Sequence, residues 1–359
     1  MEKKALIAMS GGVDSSVAAL LCQQAGFDCM GVTLKLYDNE DAGLPREKTC
    51  CSVDDVADAR SVAFRLGMPF YVFNFKEAFR REVMDRFVQA YERGETPNPC
   101  VDCNRYIKFE KLMRRGEEVG FPYIATGHYA RVEFDGATGR WLLKKGLDEN
   151  KDQSYMLWSL TQWELSRLLL PLGGLTKERV RQLAEEHGFL NARKRDSQDI
   201  CFVPDGDYAA FIRRYAGKEF PPGAFVGTQG QVYGQHKGII HYTVGQRKGL
   251  GLSFPQPMFV KELDVEKNRV VLAKAEELFS QEVIARDINL ISVESIPAPL
   301  RVKARVRYRQ KEQPATVLQT GPDELRVVFD QPQRAVTPGQ SLVLYDGDVV
   351  VGGGKIARK

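Results

Sequence analysis

The sequence predicts an α/β domain with a parallel sheet flanked by helices at the amino end, a small β-rich central domain and a carboxyl-terminal β-barrel. Three observations predict this fold class. Apolar runs alternate with helical periods over residues 1–205, glycines and short β-rich runs replace them near Phe220, and strand and turn signals alternate from about Ser280. We therefore expect domains at 1–205, 206–279 and 280–359.

The first domain is predicted from strands and helices that follow one another along the chain. The runs ALIAM (5–9), CMGVTLKLY (29–37) and FYVFNF (70–75) have strand composition, and helical segments separate them. Strands connected through helices form a parallel sheet. The loop of residues 10–15, SGGVDS, then faces the ligand crevice at the carboxyl ends of the strands.

Composition excludes several classes of protein. The chain has 359 residues, 43% of them hydrophobic, which is enough for two or three domain cores. No stretch reaches the roughly eighteen apolar residues of a membrane span, and the first residues do not form a signal peptide, so we expect a cytoplasmic protein without a membrane partner. A net charge of +4 does not by itself indicate nucleic acid. Seven cysteines, an odd number, argue against a disulfide framework and for reactive or ligating thiols.

The SGGVDS loop indicates phosphate binding. Its two glycines let the backbone approach an anion, and the positive end of the following helix favours phosphate. The loop lacks the Gly-Lys-Ser/Thr of a Walker A motif, so no lysine is placed on a γ-phosphate. A glycine pair alone would more often be a plain strand–helix turn. All six residues together resemble the pyrophosphate loop of the N-type ATP pyrophosphatases, which cleave ATP to AMP and pyrophosphate.

This resemblance implies an adenine nucleotide α-hydrolase-like fold for the first domain, with ATP and Mg²⁺ as cofactors. The nucleotide-binding residues that it implies are Ala8, Met9, Ser10, Gly11, Gly12, Val13, Asp14, Ser15, Leu34 and Gly127.

Further motifs extend the resemblance to nearly the whole chain. TPNPCVDCNRYIKF (96–109), ATGHYAR (125–131), KDQSYML (151–157) and DSQDICFVP (196–204) resemble the tRNA-specific 2-thiouridylase family, as do HYTVGQRKGLG and AVTPGQSLVLYDG. That family adenylates the 2-oxygen of the wobble uridine, position 34, and replaces it with sulfur to give 2-thiouridine, AMP and pyrophosphate. The resemblance implies the tRNAs for lysine, glutamate and glutamine as partners, together with a protein that donates persulfide or sulfide.

The resemblance assigns the sulfur chemistry to two cysteines. Cys201 would carry the persulfide, and Cys103 would attack that sulfur or resolve the intermediate. Both steps need thiolates, so we expect cationic or helix-terminal surroundings that lower the thiol pKa values. The candidate bases are Arg193, Lys194 and Arg195 before Cys201, and Arg105 and Lys108 after Cys103. The same bases would also suit a solvated surface or the phosphates beside the target base.

Cys100 departs from the family, in which many members have an aspartate at this position. Three thiols, Cys100, Cys103 and Cys201, would leave one iron open in a 4Fe–4S cluster that delivers sulfide. Three cysteines and a fourth ligand would also make a zinc site. No metal-ligand set is firm, and the persulfide and cluster routes both stay open at this point. The other cysteines are Cys50 and Cys51, placed in an active-site loop without an assigned role, and Cys22 and Cys29, predicted to be buried.

The resemblance also implies a set of residues that contact tRNA. These are Asn98, Pro99, Cys100, His128, Lys151, Asp152, Gln153, Arg307, Tyr308 and Gln340. The first three would line the pocket of the flipped-out uridine. Asp152 and Ser154 are equally candidates for helix capping, and a histidine such as His128 is more often a packing residue.

The segment RVKARVRYRQK, 301–311, carries a basic residue at every second position. As a strand it would present one wholly basic face, with Tyr308 on the other. A charged edge strand that prevents aggregation is the ordinary explanation, but six like charges favour an RNA backbone footprint and a tRNA-binding barrel.

Two other functions compete with tRNA thiolation. A small-molecule amidating or ligating ATP pyrophosphatase would need neither the basic segment nor the paired cysteines. A non-enzymatic RNA-binding or metal-storage protein would leave the SGGVDS loop unexplained.

Overall fold

The computed structural model describes residues 2–38, 53–194 and 199–358. Cys50 and Cys51, with the loop predicted around them, lie outside the described residues, and so does the base Arg195.

The amino-terminal part of the chain alternates strands and helices. In chain order these are β1 (Lys4–Ala8), α1 (Val13–Gln24), β2 (Asp28–Lys35), α2 (Val53–Arg65), β3 (Phe70–Asn74), α3 (76–92), α4 (99–118), β4 (Tyr123–Ala125), β5 (Ala130–Asp135), β6 (Arg140–Lys145), α5 (Gln162–Leu165), β7 (Leu168–Leu169), α6 (Lys177–Glu186) and α7 (Tyr208–Ala216). Helix α4 is π-helical over Cys103–Lys111, and α3 over Arg80–Met84. The strands form a five-stranded parallel sheet in the order β3–β2–β1–β4–β7, as predicted.

The inner strands β1 and β2 are buried on both faces, which explains why they are continuous apolar runs, whereas the edge strand β3 is partly exposed. In β1, Leu6 lies in a core with Phe79 and Phe109, while its neighbours Ala5 and Ile7 lie in a second core on the opposite face. The carboxyl ends of β1 and β4 therefore meet at one edge of a rigid layer, and the loops that follow them are held there.

The central part of the chain forms a four-stranded sheet. Its strands are β8 (Gly223–Gly227), β9 (Val232–His236), β10 (Phe259–Asp264) and β11 (Arg269–Ala273), in the order β10–β11–β8–β9. Phe225 lies at its centre with its ring edge-on to Tyr242, 5.2 Å between centroids. The β-rich composition after Phe220 is thus confirmed as a small β-domain.

The last part of the chain is a closed barrel. Its strands are β12 (Phe279–Leu290), β13 (Leu300–Arg305), β14 (Gln313–Gly321), β15 (Glu324–Arg334), β16 (Ser341–Asp346) and β17 (Val349–Ile356). They pair antiparallel in the order β12–β15–β14–β13–β16–β17, and β17 pairs again with β12, which closes six strands and leaves no free edge. The predicted carboxyl-terminal β-barrel is confirmed.

The barrel is joined to the first domain by backbone pairing. The β5–β6 hairpin extends the barrel sheet, with Lys144 opposite Val349 and the Lys145 amide donating to the Asp348 carbonyl at 2.8 Å. Trp158 donates through Nε1 to Ser341 Oγ at 2.9 Å. Across the described parts of the chain, the helices are all too short or too polar to traverse a bilayer.

The prediction of a single basic face over 301–311 is wrong. Strand β13 ends at Arg305, and the chain then turns, so the six cations do not share one strand face. Arg305 is paired with Glu312, Nη2 to Oε1 at 2.7 Å. Tyr308 lies in the turn and not on the other face of a strand, and its hydroxyl donates to the Asp152 carbonyl at 3.1 Å.

Arg307 is the clearest departure from a basic surface. Its guanidinium donates to the Ala335 carbonyl at 2.6 Å, to Thr337 Oγ1 at 2.7 Å and to the Val244 carbonyl at 3.3 Å. It therefore connects the barrel with the central domain. The alternation in the sequence could not show this, because the acceptors lie far away along the chain.

Candidate active site

The loop between β1 and α1 closes on itself through serine and glycine. Ser15 Oγ accepts from the Ser10 amide at 3.2 Å and donates to the Gly12 carbonyl at 3.0 Å. Gly11 has a φ of +75°, and a Cβ at this position would collide with the backbone of Asp55. Glycine is therefore required both by conformation and by space, and the loop presents the amino end of α1 to the crevice.

Asp14 on the first turn of α1 is held by two side chains from other elements. Lys177 Nζ lies 2.7 and 2.8 Å from its two carboxylate oxygens, and the Tyr129 hydroxyl donates to Oδ1 at 2.8 Å. Lys177 is nearly buried and begins α6, where a cation faces the positive end of its own helix dipole. The Asp14 carboxylate compensates that unfavourable position and fixes α6 against the loop.

The segment that precedes Cys201 in the chain also contacts the loop. Asn191 Nδ2 donates to the Gly11 carbonyl at 3.0 Å and to Ser16 Oγ at 2.9 Å. Lys194 Nζ lies 2.6 Å from carboxylates of Asp55 and Asp58. The charge of Lys194, one of the bases predicted to flank Cys201, is therefore neutralised beside the nucleotide loop. Its neighbour Arg193 pairs with Glu185 at the surface.

The other predicted nucleotide residues lie around the same loop. A Cβ on Gly127 would lie 2.7 to 2.9 Å from backbone and Cβ atoms of Asp14 and Ser15, so the loop after β4 touches the start of α1. Met9 is buried, with its carbonyl accepting from Thr33 Oγ1 at 2.7 Å. Ala8 is half-buried at the end of β1, while Val13 at the start of α1 and Leu34 in β2 are buried.

The C-x-x-C motif forms the first turn of α4. Asn98 caps this helix by accepting from the Cys100 amide at 3.2 Å, and Pro99 occupies the first helical position, where its missing N–H costs nothing. Asn98 Nδ2 also contacts Met156 Sδ at 3.3 Å. Cys100 is exposed, whereas Cys103 is 9% exposed.

The environment of Cys103 favours a thiol. Burial raises its pKa to about 11, and although Lys108 lowers it, Cys100 and Asp102 raise it further. In a π-helix each amide bonds to the carbonyl five residues earlier, so Lys108 lies one turn from Cys103 on the same face. Arg105, the other predicted base, pairs instead with Asp287, Nη1 to Oδ1 at 2.8 Å. The expectation of a lowered pKa is wrong for Cys103 because desolvation outweighs the one cation.

Cys201 is half-buried beside α3. The Tyr37 hydroxyl donates to its carbonyl at 2.6 Å, and the adjacent Phe202 packs edge-on against Phe79 and Phe87, at 5.8 and 5.3 Å between ring centroids. Cys103 is buried in this same core, and Cys201 packs against it. Both cysteines therefore belong to one extended core, which also includes Phe225 of the central sheet and Tyr345 of the barrel.

The predicted cluster ligands do not form a metal site as the structure places them. Among residues 2–38, 53–194 and 199–358, no three His, Cys, Asp or Glu side chains converge in a way that could hold a metal ion. With Cys100 exposed at the first turn and Cys103 directed into the core, the three-thiol cluster and the zinc site do not fit this arrangement.

Comparison with known proteins decides the family. The chain matches family models described as tRNA methyl transferase HUP domain over residues 3–205, tRNA methyl transferase PRC-barrel domain over 209–274 and aminomethyltransferase beta-barrel domain over 280–356. It is 50% identical to the tRNA-specific 2-thiouridylase MnmA of Clostridioides difficile (strain 630), covering 100% of this chain and 99% of that protein. The chain belongs to the tRNA-specific 2-thiouridylase family.

A second relative with the same description and one solved structure are also similar to this chain. The tRNA-specific 2-thiouridylase MnmA 1 of Thermoanaerobacter sp. (strain X514) is 51% identical, covering 99% of this chain and 98% of that protein. A solved structure described as a 4-thiouridine synthetase–RNA complex with bound ATP is 19% identical and covers 60% of this chain and 50% of its own, with a TM-score of 0.36.

Several residues that the family resemblance places on tRNA are engaged within the protein. The buried Asp152 carboxylate accepts from the Gly146 and Ser154 amides, both at 3.1 Å, but the short helix that starts at Ser154 has Gln153 as its N-cap and no side-chain cap, so the capping role predicted as the alternative is wrong. Gln153 Oε1 accepts from the Tyr129 amide at 2.9 Å, and Gln340 Nε2 donates to the Thr96 carbonyl at 2.7 Å. These contacts make them supports of the site, while Lys151 before them is half-buried.

His128 follows β4 in the chain and packs against α4. Its Nδ1 is 2.7 Å from Thr126 Oγ1, and its ring centroid is 5.8 Å from that of Phe109. Protein atoms around the half-buried ring, followed by the charge of Lys108, lower its pKa well below 6.5. His128 is therefore neutral at physiological pH and shares with Cys103 the same nearby cation.

The sequence did not predict the polar and charged partners of the nucleotide loop and of helix α4. Lys177, Tyr129 and Asn191 hold the nucleotide loop, and Asp287 and Lys355 meet α4 from the barrel. One signal was present, because a lysine directly after the helix-capping Thr176 is an unfavourable place for a cation unless a carboxylate faces it.

Proposed function

We propose that this protein catalyses the ATP-dependent 2-thiolation of the wobble uridine, position 34, in tRNA. The observation that carries the proposal is the joint presence of a clamped pyrophosphate loop at residues 10–15 and of two core-packed cysteines, Cys103 and Cys201, in a single α/β domain. Relatives named tRNA-specific 2-thiouridylase at about 50% identity over their full length support it.

ATP binds with its phosphates at the amino end of α1, where helix dipole and loop amides favour an anion. The 2-oxygen of the uridine attacks the α-phosphorus, pyrophosphate leaves, and the base becomes an adenylate with AMP as leaving group. Mg²⁺ would bind through the substrate phosphates and neutralise the departing pyrophosphate; the Asp14 carboxylate does not fit as its ligand, because both of its oxygens are bound by Lys177. Asp14 and Lys177 together keep the loop closed over these charges.

Sulfur then enters from a persulfide on Cys201, loaded by a donor protein. Its terminal sulfur attacks C2 of the adenylated uridine and expels AMP, which leaves the base joined to Cys201 through a disulfide. The Cys103 thiolate attacks the Cys201 sulfur, forms a Cys103–Cys201 disulfide and releases 2-thiouridine; an external thiol reductant restores both thiols. Burial raises the pKa of Cys103 to about 11, and Lys108 is the nearby cation that lowers this pKa and so favours the thiolate.

The persulfide route is proposed in preference to the 4Fe–4S route. The described thiols do not converge on a metal position, so no step is assigned to a cluster. Cys100, exposed at the first turn of α4 behind Asn98 and Pro99, belongs in this proposal to the pocket for the flipped-out uridine.

The proposed partners are the tRNAs for lysine, glutamate and glutamine and a persulfide donor protein, and the proposed compartment is the cytoplasm, where thiols stay reduced. His128, Lys151 and Tyr308 are proposed to face the tRNA at the site. The exposed Arg309 and Lys303 are better placed than Arg307 to contact the RNA backbone.

The test is a reaction of unmodified tRNA with ATP and a persulfide donor, with pyrophosphate and 2-thiouridine measured separately. Cys103→Ser and Cys201→Ser should form pyrophosphate with tRNA but no 2-thiouridine, because adenylation needs neither thiol. Cys100→Ser keeps a small polar side chain in the uridine pocket and should still make 2-thiouridine; Arg115→Met, which breaks an exposed pair with Glu118 on the same helix, is the control. Normal 2-thiouridine from Cys103→Ser or Cys201→Ser would refute the mechanism, loss in Cys100→Ser would favour the cluster route, and pyrophosphate without tRNA would indicate a small-molecule substrate.

A further inference from the structure

An ion pair joins the carboxyl-terminal barrel to the interior of the C-x-x-C motif. Lys355 on β17 lies with Nζ 3.0 Å from Oδ1 of Asp102, the residue directly before Cys103. The Asp102 side chain is 7% exposed and that of Lys355 30%. Burial lowers the pKa of Lys355, but the carboxylates of Asp102 and Asp287 outweigh it, and the pKa stands above its ordinary value. The lysine is therefore charged, and the pair is ionic.

A second pair from the barrel binds the same helix beside the first pair. Asp287 lies at a bulge in β12, where the pairing with β17 shifts between Arg286 and Asn289, and it has a φ of +52°. Left-handed backbone is costly for a residue other than glycine, and bulges redirect side chains. Asp287 accepts two hydrogen bonds from Arg105 Nη1 at 2.8 and 2.9 Å and lies 3.4 Å from Lys355 Nζ.

The barrel also holds the chain just before α4. The Thr96 amide donates to the Pro338 carbonyl at 2.9 Å, and Gln340 Nε2 donates to the Thr96 carbonyl at 2.7 Å. A Cβ on Gly339 would lie 3.0 to 3.2 Å from Glu95 and Thr96, so the two backbones are in close contact. The barrel thus contacts the start of the motif at Thr96 and its cysteine turn at Asp102 and Arg105.

A buried ion pair is a poor source of stability, because desolvating both charges costs about as much as their attraction returns. Its value lies in fixed geometry. Asp102 and Cys103 are neighbours on one helical turn, so a constraint on the Asp102 carboxylate is a constraint on the orientation of that turn and of the Cys103 sulfur.

We propose that Lys355 is a positioning residue for sulfur transfer. It binds Asp102 and, together with the Asp287–Arg105 pair, holds the first turn of α4 in the orientation that presents Cys103 to its target. The inference rests on the proposed function of Cys103. It adds to it a dependence of the thiol step, and not of the adenylation step, on the barrel.

The test separates the two steps in a single turnover with protein loaded with persulfide. Lys355→Met should slow 2-thiouridine formation by about tenfold or more, since small misplacements of reacting groups are costly. Pyrophosphate formation and the KM values for ATP and tRNA should stay within about twofold, and Lys355→Arg should restore most of the rate because it keeps the charge and a donor. Arg326→Met, which breaks the exposed Arg326–Glu282 pair elsewhere on the barrel, is the matched control and should leave both steps unchanged.

A double variant distinguishes positioning from simple stabilisation. Asp102→Asn combined with Lys355→Met leaves no unpaired charge at Asp102, so the urea midpoint should recover towards that of the unaltered protein. Sulfur transfer should remain as slow as in Lys355→Met, since the link between barrel and helix is still missing. Recovery of the rate together with the midpoint, or an unchanged rate in Lys355→Met, would overturn the inference. Failure of the unaltered protein to form 2-thiouridine would instead refute the proposed function.

Discussion

The nucleotide loop and the C-x-x-C helix are two parts of one candidate site, but they are stabilised in different ways. The loop of residues 10–15 is closed by its own serine and by Lys177 and Asn191, which all belong to the first domain. The first turn of α4 is held by Lys355 and Asp287 of the barrel. Adenylation should therefore depend on one domain, whereas sulfur transfer should depend on the assembled chain.

The largest effect is expected from a variant of the nucleotide loop, which depends on the first domain alone. Lys177→Met removes the cation that faces both Asp14 oxygens and leaves a carboxylate beside the phosphate position. Loss of such a preorganised charge costs about 100-fold or more, so pyrophosphate formation should fall by at least that factor. The measurement is tRNA-dependent pyrophosphate release.

Arg179→Met on the same helix is the control for this variant. Arg179 pairs with Glu186 at the surface, so its loss should leave the rate within about twofold. A Lys177→Met protein with unchanged pyrophosphate release would show that the Asp14–Lys177 pair is not part of the adenylation site.

A smaller effect, on stability, is expected from Arg307 of the basic segment, which connects the barrel with the central domain. Arg307→Ala removes hydrogen bonds to Ala335, Thr337 and Val244, and should destabilise the protein by about 2 kcal/mol, measured as a shift of the urea midpoint. Arg309→Ala, in the exposed part of the same turn, should cost less than about 0.5 kcal/mol.

The same two variants separate support of the fold from RNA binding. Arg309→Ala should reduce the salt dependence of tRNA binding by about one unit of slope, while Arg307→Ala should leave that slope unchanged. If Arg307→Ala reduced the slope of the salt dependence without loss of stability, Arg307 would be an RNA-contacting residue and not a support of the fold.

The smallest effect concerns the Cys103 thiol. Lys108 lowers a pKa that burial raises to about 11, so Lys108→Met should raise it further and reduce the thiolate fraction. Alkylation of Cys103 by iodoacetamide at pH 9, followed by peptide mass spectrometry, should slow by about threefold. Lys111→Met is the control, because Lys111 lines a cavity with Val72 and Arg114 and does not contribute to the shifted pKa of Cys103. Equal rates in both variants would exclude Lys108 as the charge beside the thiol.

The parallel sheet, the nucleotide loop and the barrel could be predicted because their signals are local. Apolar runs such as ALIAM mark strands buried on both faces, and two glycines followed by Asp14 mark a helix start that suits phosphate. The surroundings of the cysteines could not be predicted in this way. Lys194 lies near Cys201 in sequence, yet it binds Asp55 and Asp58 at the nucleotide loop.

The sequence by itself therefore determined the fold class, the family resemblance and the identity of the two motif cysteines, because periodicity and short motifs depend only on neighbours along the chain. The tertiary structure decided the charge state of the thiol and the partners of the charged residues. Burial raises the pKa of Cys103, Arg307 becomes a junction residue, and Lys355 meets Asp102 from 253 positions away. Desolvation and ion pairing act through space, so only the folded chain specifies them.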